Sequence, residues 1–163
     1  MAEQKGSPRN AEHMRAALAE ARRGVMKGEG GPFGAVVVKD GLIIARGHNR
    51  VIVSNDPTAH AEIVALRRAA KKLGRFHLAE CEIYTTCEPC PMCLAALQWA
   101  RIRAYHFGCT RRDAARAGFA DESIYKRLAG RRIKSAPKAI SFLRDECRSV
   151  MDLWRKKRDR VRY

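Results

Sequence analysis

Two short segments, well separated along the chain, carry the side chains that most constrain its fold. They are residues 60–62, His-Ala-Glu, and residues 89–93, Pro-Cys-Pro-Met-Cys. Imidazole nitrogen and thiolate sulfur are ligands that Zn²⁺ prefers, and a catalytic zinc site uses three protein ligands and keeps a fourth position for water. A chain that uses His60, Cys90 and Cys93 together must therefore fold so that the two segments converge.

Predicted helix starts explain how the segments could meet. His60 lies at the start of a helix that runs to about Leu73, and the prolines around Cys90 suit the start of the next helix. Cys90 and Cys93 can then face one ion, and the N–H groups and dipole of the first turn favour their thiolates. Glu62 would lie beside the metal without being a ligand, which suits a group that shuttles protons.

Each half of this pattern is weak alone. An isolated Cys-x-x-Cys also occurs in redox pairs and in four-ligand structural zinc sites, and Cys87 could complete such a closed site. We interpret Cys87 as a packed thiol, because it precedes the helix, and we expect Cys81, Cys109 and Cys147 to be buried. Together, His-x-Glu and Pro-Cys-x-x-Cys are typical of zinc-dependent nucleobase deaminases, so the combination predicts catalysis.

The order of the predicted elements indicates an α/β fold. A helix over 11–27 precedes strands over 33–39 and from 42 onward, and Asp40-Gly41 between them predicts a tight hairpin because both positions accept positive φ. Asp56 or Thr58 is expected to cap the helix that begins near residue 60. Strands are predicted over 81–86, 102–108 and 132–142, and later helices over 90–101, 111–117, 121–129 and 144–159. We expect a three-layer sandwich, a five-stranded mixed sheet flanked by helices.

Length and charge set broader limits. The 163 residues fit one domain, and we treat 1–163 as such. We expect a cytoplasmic location, because no apolar run could span a bilayer and the first residues lack an apolar signal region. The net charge is +16, from 33 Lys and Arg against 17 Asp and Glu. A nucleic-acid partner is therefore an alternative, although we favour a small-molecule substrate and no membrane.

Longer segments resemble known proteins. The motifs resemble those of the cytidine deaminase-like superfamily of zinc hydrolases, whose fold is a five-stranded mixed sheet between helices. Over about residues 11–130 the chain is similar to the bacterial guanine deaminase family. The segments that carry this likeness are 30–36 (GGPFGAV), 54–62 (SNDPTAHAE), 86–93 (TCEPCPMC), 113–119 (DAARAGF) and 124–126 (IYK), together with the C-terminal Tyr163.

The resemblance implies a chemical role for matching positions. His60, Cys90 and Cys93 match the family's zinc ligands, and Glu62 matches its proton-shuttling glutamate. Asp121 matches an aspartate that contacts the substrate and is counted with Glu62 as catalytic. The family commonly has two consecutive acids after Gly-Phe, whereas here Ala120 precedes Asp121 and Glu122, so either acid could face the substrate.

The resemblance also implies the substrate-binding residues. Asn49 matches an asparagine that recognises the purine ring, and Phe33 lies in the glycine-rich segment that forms the pocket. Tyr163 matches a terminal tyrosine that reaches the active site, and Ala61 is also expected to bind the substrate. Among the other histidines, His48 lies beside Asn49, and we expect it to be a core residue and not a pocket residue.

The implied reaction is the zinc-dependent hydrolysis of guanine to xanthine and ammonia. A tRNA adenosine deaminase stays an alternative because it shares the zinc motif and the charge favours it, as does a deaminase of guanosine, ammeline or a related aminated ring. A non-catalytic zinc-binding nucleic-acid module would not need Glu62. The resemblance further implies a homodimer in which residues 131–163 form an exchanged tail that closes the active site, in its own subunit or in its partner.

Overall fold

The computed structural model describes residues 8–131, 141 and 143–159. Seven helices and four strands lie in these ranges. In chain order they are α1 (Pro8–Met26), β1 (Gly34–Lys39), β2 (Leu42–His48), α2 (Val51–Ser54), α3 (Ala61–Leu73), β3 (Cys81–Cys87), α4 (Pro91–Trp99), β4 (Ala104–Cys109), α5 (Arg111–Arg116), α6 (Glu122–Leu128) and α7 (Arg144–Lys156).

The strands form one mixed sheet with the order β2-β1-β3-β4. Strand β1 pairs antiparallel with β2 and β3, and β3 pairs parallel with β4. Five strands were expected, and the described residues contain four. The missing one was predicted over 132–142, which apart from residue 141 lies outside the described residues. The α/β fold with a mixed sheet is confirmed.

Helices cover both faces of the sheet. Side chains of β1 alternate, so that Ala35 and Val37 belong to a core cluster with α3, while Val36 and Val38 belong to a second cluster with Ala17 of α1. The hairpin between β1 and β2 is the predicted one, because Asp40 and Gly41 both have positive φ (49° and 74°). The sheet is therefore the middle layer of three.

A close backbone contact fixes the start of α3 on strand β2. A Cβ added at Gly47 would lie 2.6 Å from the carbonyl oxygen of Ala61 and 2.8 Å from the nitrogen of Ala65. Only glycine allows this approach, because the neighbouring atoms are backbone and cannot rotate away. The strand thus sets the position of the helix start that carries His60 and Glu62.

The cap of α3 differs from the prediction. His60 is the N-cap and its side chain makes no capping hydrogen bond. Asp56 does not cap the helix; it accepts hydrogen bonds from the backbone N–H (2.8 Å) and hydroxyl (2.6 Å) of Thr58 and so closes a turn in the preceding loop. The expectation that Asp56 or Thr58 caps this helix was wrong, because these two residues form hydrogen bonds with each other and not with the first turn of α3.

The last helix, α7, has a continuous apolar stripe that faces solvent in the single chain. Helical spacing brings Leu143, Cys147, Val150, Met151 and Trp154 to one side, and all of them are exposed. Within the described ranges, no helix has the length and apolar character required to cross a bilayer.

Candidate metal centre and substrate cavity

The starts of two helices bring three metal-ligating side chains together. His60 and Cys90 are the N-cap residues of α3 and α4, and Cys93 follows in the first turn of α4. Nδ1 of His60 is 3.5 Å from Sγ of Cys90 and 3.5 Å from Sγ of Cys93. The three ligand atoms all lie within 4.8 Å of one another.

The spacing of these atoms fits zinc. Tetrahedral coordination with Zn–S about 2.3 Å and Zn–N about 2.0–2.1 Å separates a nitrogen from a sulfur by about 3.5 Å. This is the separation in the structure for both thiols. The donor set, one imidazole and two thiols, is also one that zinc prefers over hard cations. Since the protein supplies three ligands, a fourth position stays available for water.

The three side chains shift one another's pKa values so that Cys90 is a thiolate. Hydrogen bonds from the Cys93 thiol and from His60 lower the pKa of Cys90 to about 4. The hydrogen bond to Cys90 in turn raises the pKa of His60. Cys93 holds its proton, because its hydrogen bond to Cys90 and its burial raise its pKa. A thiolate is thus present before a cation binds, and binding would release the remaining protons.

Cys87 is near the cluster but is not part of it. Its thiol is directed at the carbonyl oxygen of Thr110 (3.6 Å), and burial raises its pKa to about 11. It is a packed neutral thiol, as interpreted from the sequence. Cys81 is buried as expected, whereas Cys109 and Cys147 are exposed. The expectation was wrong for these two, because Cys109 lies at the end of β4, at the edge of the sheet that the described residues form, and Cys147 lies on α7.

Glu62 is a buried acid beside the three metal-ligating side chains. It lies in the first turn of α3 with 6% of its surface exposed and lines the adjoining cavity. Burial raises its pKa, and the charge of Cys90 adds to this effect. A carboxyl group with a raised pKa can both accept and return a proton, which is the property expected of a general acid–base.

A cavity of about 700 Å³ opens over the cluster. Its walls come from the glycine-rich segment after α1, from the β2–α2 connection, from the two helix starts and from residues 111–121. The lining residues are Val25, Gly30, Gly31, Pro32, Phe33, Asn49, Val51, Ile52, Pro57, His60, Glu62, Cys87, Glu88, Cys90, Arg111, Ala114, Phe119, Ala120 and Asp121.

Asn49 is held rigidly in the cavity wall. It is buried, and its Oδ1 accepts hydrogen bonds from the backbone N–H groups of Gly31 and Val51, both at 3.2 Å. A Cβ at Gly30 would lie 2.2 Å from the same oxygen, so only glycine fits there. Because the oxygen is engaged by the protein, the amide nitrogen is the group of Asn49 that is left for a ligand.

Two aromatic rings form an apolar wall of the cavity. Phe33 and Phe119 meet edge to face with ring centroids 5.0 Å apart. Phe33 was expected in the cavity from the glycine-rich segment. Phe119 was quoted only as part of a matching segment and was not chosen as a site residue, although an aromatic residue beside a glycine in that segment was the available signal.

The two candidate acids after Ala120 have different surroundings. Asp121 is the N-cap residue of α6, makes no side-chain capping bond and lines the cavity, and burial raises its pKa. Glu122 is exposed and pairs with Lys126 at 2.8 Å. The geometry therefore favours Asp121 as the acid that faces the cavity.

Neither the Ala61 side chain nor His48 lines the cavity. The side chain of Ala61 is completely buried in the core cluster, so only its backbone is near the metal-ligating side chains. Tyr163 lies outside the described residues. His48 is buried behind Asn49 and is absent from the cavity wall. Arg111 does line the cavity and stacks 4.7 Å above the Tyr125 ring; no local sequence signal indicated this.

Known proteins share these features in sequence. A family model for the cytidine and deoxycytidylate deaminase zinc-binding region matches residues 7–109. The chain is 56% identical to guanine deaminase of Bacillus subtilis (strain 168) over 115 residues, which cover 71% of this chain and 74% of that protein. It is 47% identical to a tRNA-specific adenosine deaminase of Aquifex aeolicus (strain VF5) over 94 residues, 58% of this chain and 62% of that protein.

Solved structures agree with these relationships. The X-ray structure of guanine deaminase from Bacillus subtilis matches with a TM-score of 0.87 and 45% identity, covering 94% of this chain and 98% of that chain. Guanine deaminase from Nitrosomonas europaea matches with a TM-score of 0.65 and 34% identity, covering 72% of this chain and 67% of that chain. Because the family model spans both motif segments and more than half of the sequence, the chain belongs to the family of deaminases that carry the cytidine and deoxycytidylate deaminase zinc-binding region.

Proposed function

We propose that the chain catalyses the hydrolytic deamination of guanine to xanthine and ammonia. The single observation that carries this proposal is the position of Glu62. It is a buried acid with a raised pKa, lies beside a His-Cys-Cys cluster and lines a cavity. The similarity to guanine deaminases over most of the chain supports guanine as the substrate.

We assign zinc to His60, Cys90 and Cys93 on the basis of their donor set and spacing. Bound there, zinc would lower the pKa of a water molecule to about 7 and so supply a nucleophile at neutral pH. Glu62 accepts a proton from the attacking water and delivers it to the ring nitrogen next to C2. As the water oxygen bonds to C2, the exocyclic amino group becomes a leaving group. Glu62 then passes the remaining hydroxyl proton to this amino group, the C2–N bond breaks, and ammonia leaves as the C2 carbonyl forms.

The other cavity residues orient the ring. The free amide nitrogen of Asn49 can donate to an acceptor on the purine, while its oxygen is fixed by the backbone. The carboxylate of Asp121 can accept from a ring N–H or from the amino group. Phe33 and Phe119 provide an apolar wall against which a planar ring can pack. Any contribution of Ala61 would come from its backbone.

We propose that the tail, residues 131–163, closes the cavity and that Tyr163 reaches the ring. The exposed apolar stripe of α7 supports this, because a stripe of that size needs a partner surface. A homodimer with exchanged tails would bury it, and residues 1–163 would then form a single deaminase domain in each subunit. We propose a cytoplasmic location, in keeping with six free cysteines.

A tRNA adenosine deaminase is the second candidate. The net charge of +16 and the similarity to tRNA-specific adenosine deaminases support it. Against it, the adenosine deaminase of Aquifex aeolicus is less identical to the chain (47%) than guanine deaminase of Bacillus subtilis is (56%).

One assay separates these activities. Ammonia release is followed for wild type and Glu62→Gln with guanine, guanosine, ammeline and a tRNA anticodon stem. We expect release from guanine that falls by about 10²–10⁴ in the variant, which loses the proton shuttle but keeps the shape of the side chain. Turnover of the tRNA stem alone would reject guanine as the substrate, and equal activity of the variant would reject the role of Glu62.

A further inference from the structure

A buried histidine lies behind the cavity and belongs to no part of the mechanism. His48 is 2% exposed and is the last residue of β2. Its Nε2 is 2.5 Å from an oxygen of Glu29, and its Nδ1 is 3.2 Å from an oxygen of Glu20. Both ring nitrogens therefore face carboxylates, and Nδ1 also lies 3.5 Å from a guanidinium nitrogen of Arg23.

The side chain of Glu29 contacts the two residues that flank Asn49 in the sequence. The same oxygen of Glu29 that meets His48 also accepts a hydrogen bond from Arg50 at 2.6 Å. His48 and Arg50 are the residues immediately before and after Asn49. We call the three side chains Glu29, His48 and Arg50 the Glu29 clamp.

The clamp controls the loop that fixes Asn49. Gly30 and Gly31 follow Glu29 directly, and the N–H of Gly31 donates to Oδ1 of Asn49. The backbone at Gly30 is so near Asn49 that a Cβ would be 2.5 Å from its carbonyl oxygen. Any movement of Glu29 is therefore transmitted to the amide that faces the cavity.

The far side of His48 is anchored to α1. Glu20, which meets Nδ1, also pairs with Arg23 at 2.6 Å. A Cβ at Gly24 would lie 2.7 Å from Cδ2 of His48, so the helix backbone packs directly on the ring. The His48 ring is therefore held in one position between α1 and the glycine-rich loop.

We infer that His48 is a positioning residue that, through Glu29, sets the orientation of Asn49 and hence the affinity for the ring substrate. This inference rests on the proposed function. The contact between Nε2 and Glu29 carries the effect, whereas the contact between Nδ1 and Glu20 only seats the ring. His48 does not touch the reacting atoms, so the chemical step is unaffected.

Two amide variants separate the two contacts. His48→Gln keeps an N–H near the position of Nε2. His48→Asn keeps one near Nδ1 and loses the contact with Glu29. We expect the KM of H48N to rise about tenfold, the equivalent of about 1.4 kcal/mol, with kcat within about threefold of wild type. H48Q should stay within about threefold in both constants.

Further variants keep the inference falsifiable if H48N folds poorly. Glu29→Ala removes the same contact from the loop side and should reproduce the rise in KM. His106→Gln is the matched control, because His106 also pairs with a carboxylate, Glu82 at 3.2 Å, but does not line the cavity. Its KM should be unchanged.

The outcomes for the inference and for the proposed function are distinct. The wild-type rate with guanine tests the proposed function alone. The constants of the variants are measured on whichever of guanine, guanosine and ammeline the wild type deaminates. Equal KM for H48N and H48Q, an unchanged KM for E29A, or a loss in kcat without a change in KM would overturn the positioning role.

Discussion

Neighbouring thiols near the cavity have opposite chemical character. Cys90 sits at a helix start beside His60 and has a pKa of about 4, whereas burial raises the pKa of Cys87 to about 11. Their sequence contexts are similar, since both belong to one cysteine-rich segment. The difference arises from the surroundings that the fold provides, hydrogen bonds from Cys93 and His60 for Cys90 and burial for Cys87.

This contrast predicts different effects on metal content. We expect Cys87→Ala to retain one zinc ion per chain and to lose about 1 kcal/mol of stability, because a small packed group is removed. Cys93→Ala should retain no stoichiometric zinc, since it removes one of three ligands. Elemental analysis of the purified variants measures both. Loss of zinc from C87A would mean that the site is a closed four-ligand one.

The raised pKa of Glu62 predicts how pH affects stability. In the metal-free protein the folded state keeps the proton of Glu62 above the ordinary pKa of 4.5, where the unfolded chain has released it. The folded state then binds more protons, so the free energy of unfolding falls as pH rises above about 4.5. Glu62→Gln removes this fall and should raise the melting temperature at pH 7 relative to wild type.

The control for this experiment is Glu122→Gln. Glu122 is exposed and its pair with Lys126 lowers its pKa, so this substitution should not raise the melting temperature. Thermal melts of chelator-treated protein between pH 4 and pH 7.5 make the comparison. A melting temperature for E62Q that stays below that of wild type across this range would contradict the burial cost assigned to Glu62.

At the level of elements, the contact of β2 with α3 determines where His60, one of the three metal-ligating residues, lies. We expect Gly47→Ala to cost about 1–3 kcal/mol, because the new methyl group overlaps backbone atoms and must push α3 away. The helix start would move with it, so zinc affinity should fall as well. Unfolding in urea and competition with a chromogenic zinc chelator measure the two effects.

Gly74→Ala at the other end of α3 is the matched control. Gly74 has a φ of 64° and no atoms within 4 Å of the added methyl group, so only backbone strain of about 1 kcal/mol is expected. Zinc affinity should not change. If G47A binds zinc as tightly as G74A, the close contact does not position the metal-ligating groups.

The elements with strong local patterns were predictable from the sequence. Hydrophobic periodicity identified α1, and Asp40-Gly41 identified the hairpin; helices were also predicted where α3 and α7 lie. The short helix α2 was missed, since four residues between a strand and a loop have no periodicity to detect. The cap of α3 was wrong because a hydrogen bond between Asp56 and Thr58 competes with capping.

In the candidate site too, the residues in local motifs were predictable from the sequence and the long-range contacts were not. Its metal-ligating residues could be identified because they lie in two local motifs whose spacing has a chemical reason. The long-range contacts could not, since nothing in the local sequence indicates that Glu29 meets His48 or that Arg111 lines the cavity. For Asn49 and Asp121 only the resemblance to a family indicated a role before the structure placed both on the cavity wall.

At the scale of the whole molecule, the exposed stripe of α7 predicts self-association. Val150→Glu introduces a charge into the stripe, so it should shift the protein from dimer to monomer and raise the KM for guanine by about tenfold through loss of closure. Ser149→Glu adds the same charge outside the stripe and should leave both unchanged. Sedimentation velocity and steady-state kinetics test this; a monomeric wild type would reject the exchanged tail.

Different parts of the cavity carry the groups for the reaction and the walls that contact the ring. The groups proposed for metal binding and proton transfer lie on the starts of α3 and α4, which pack on the sheet, whereas residues 30–33 and 119–120 form walls from loops. New loops could therefore be selected without disturbing the catalytic groups. For enzyme engineering, this makes residues 119 and 120 the place to diversify when another aminated heterocycle is the target. Such a library should consist largely of folded, zinc-loaded proteins that differ in the ring they accept.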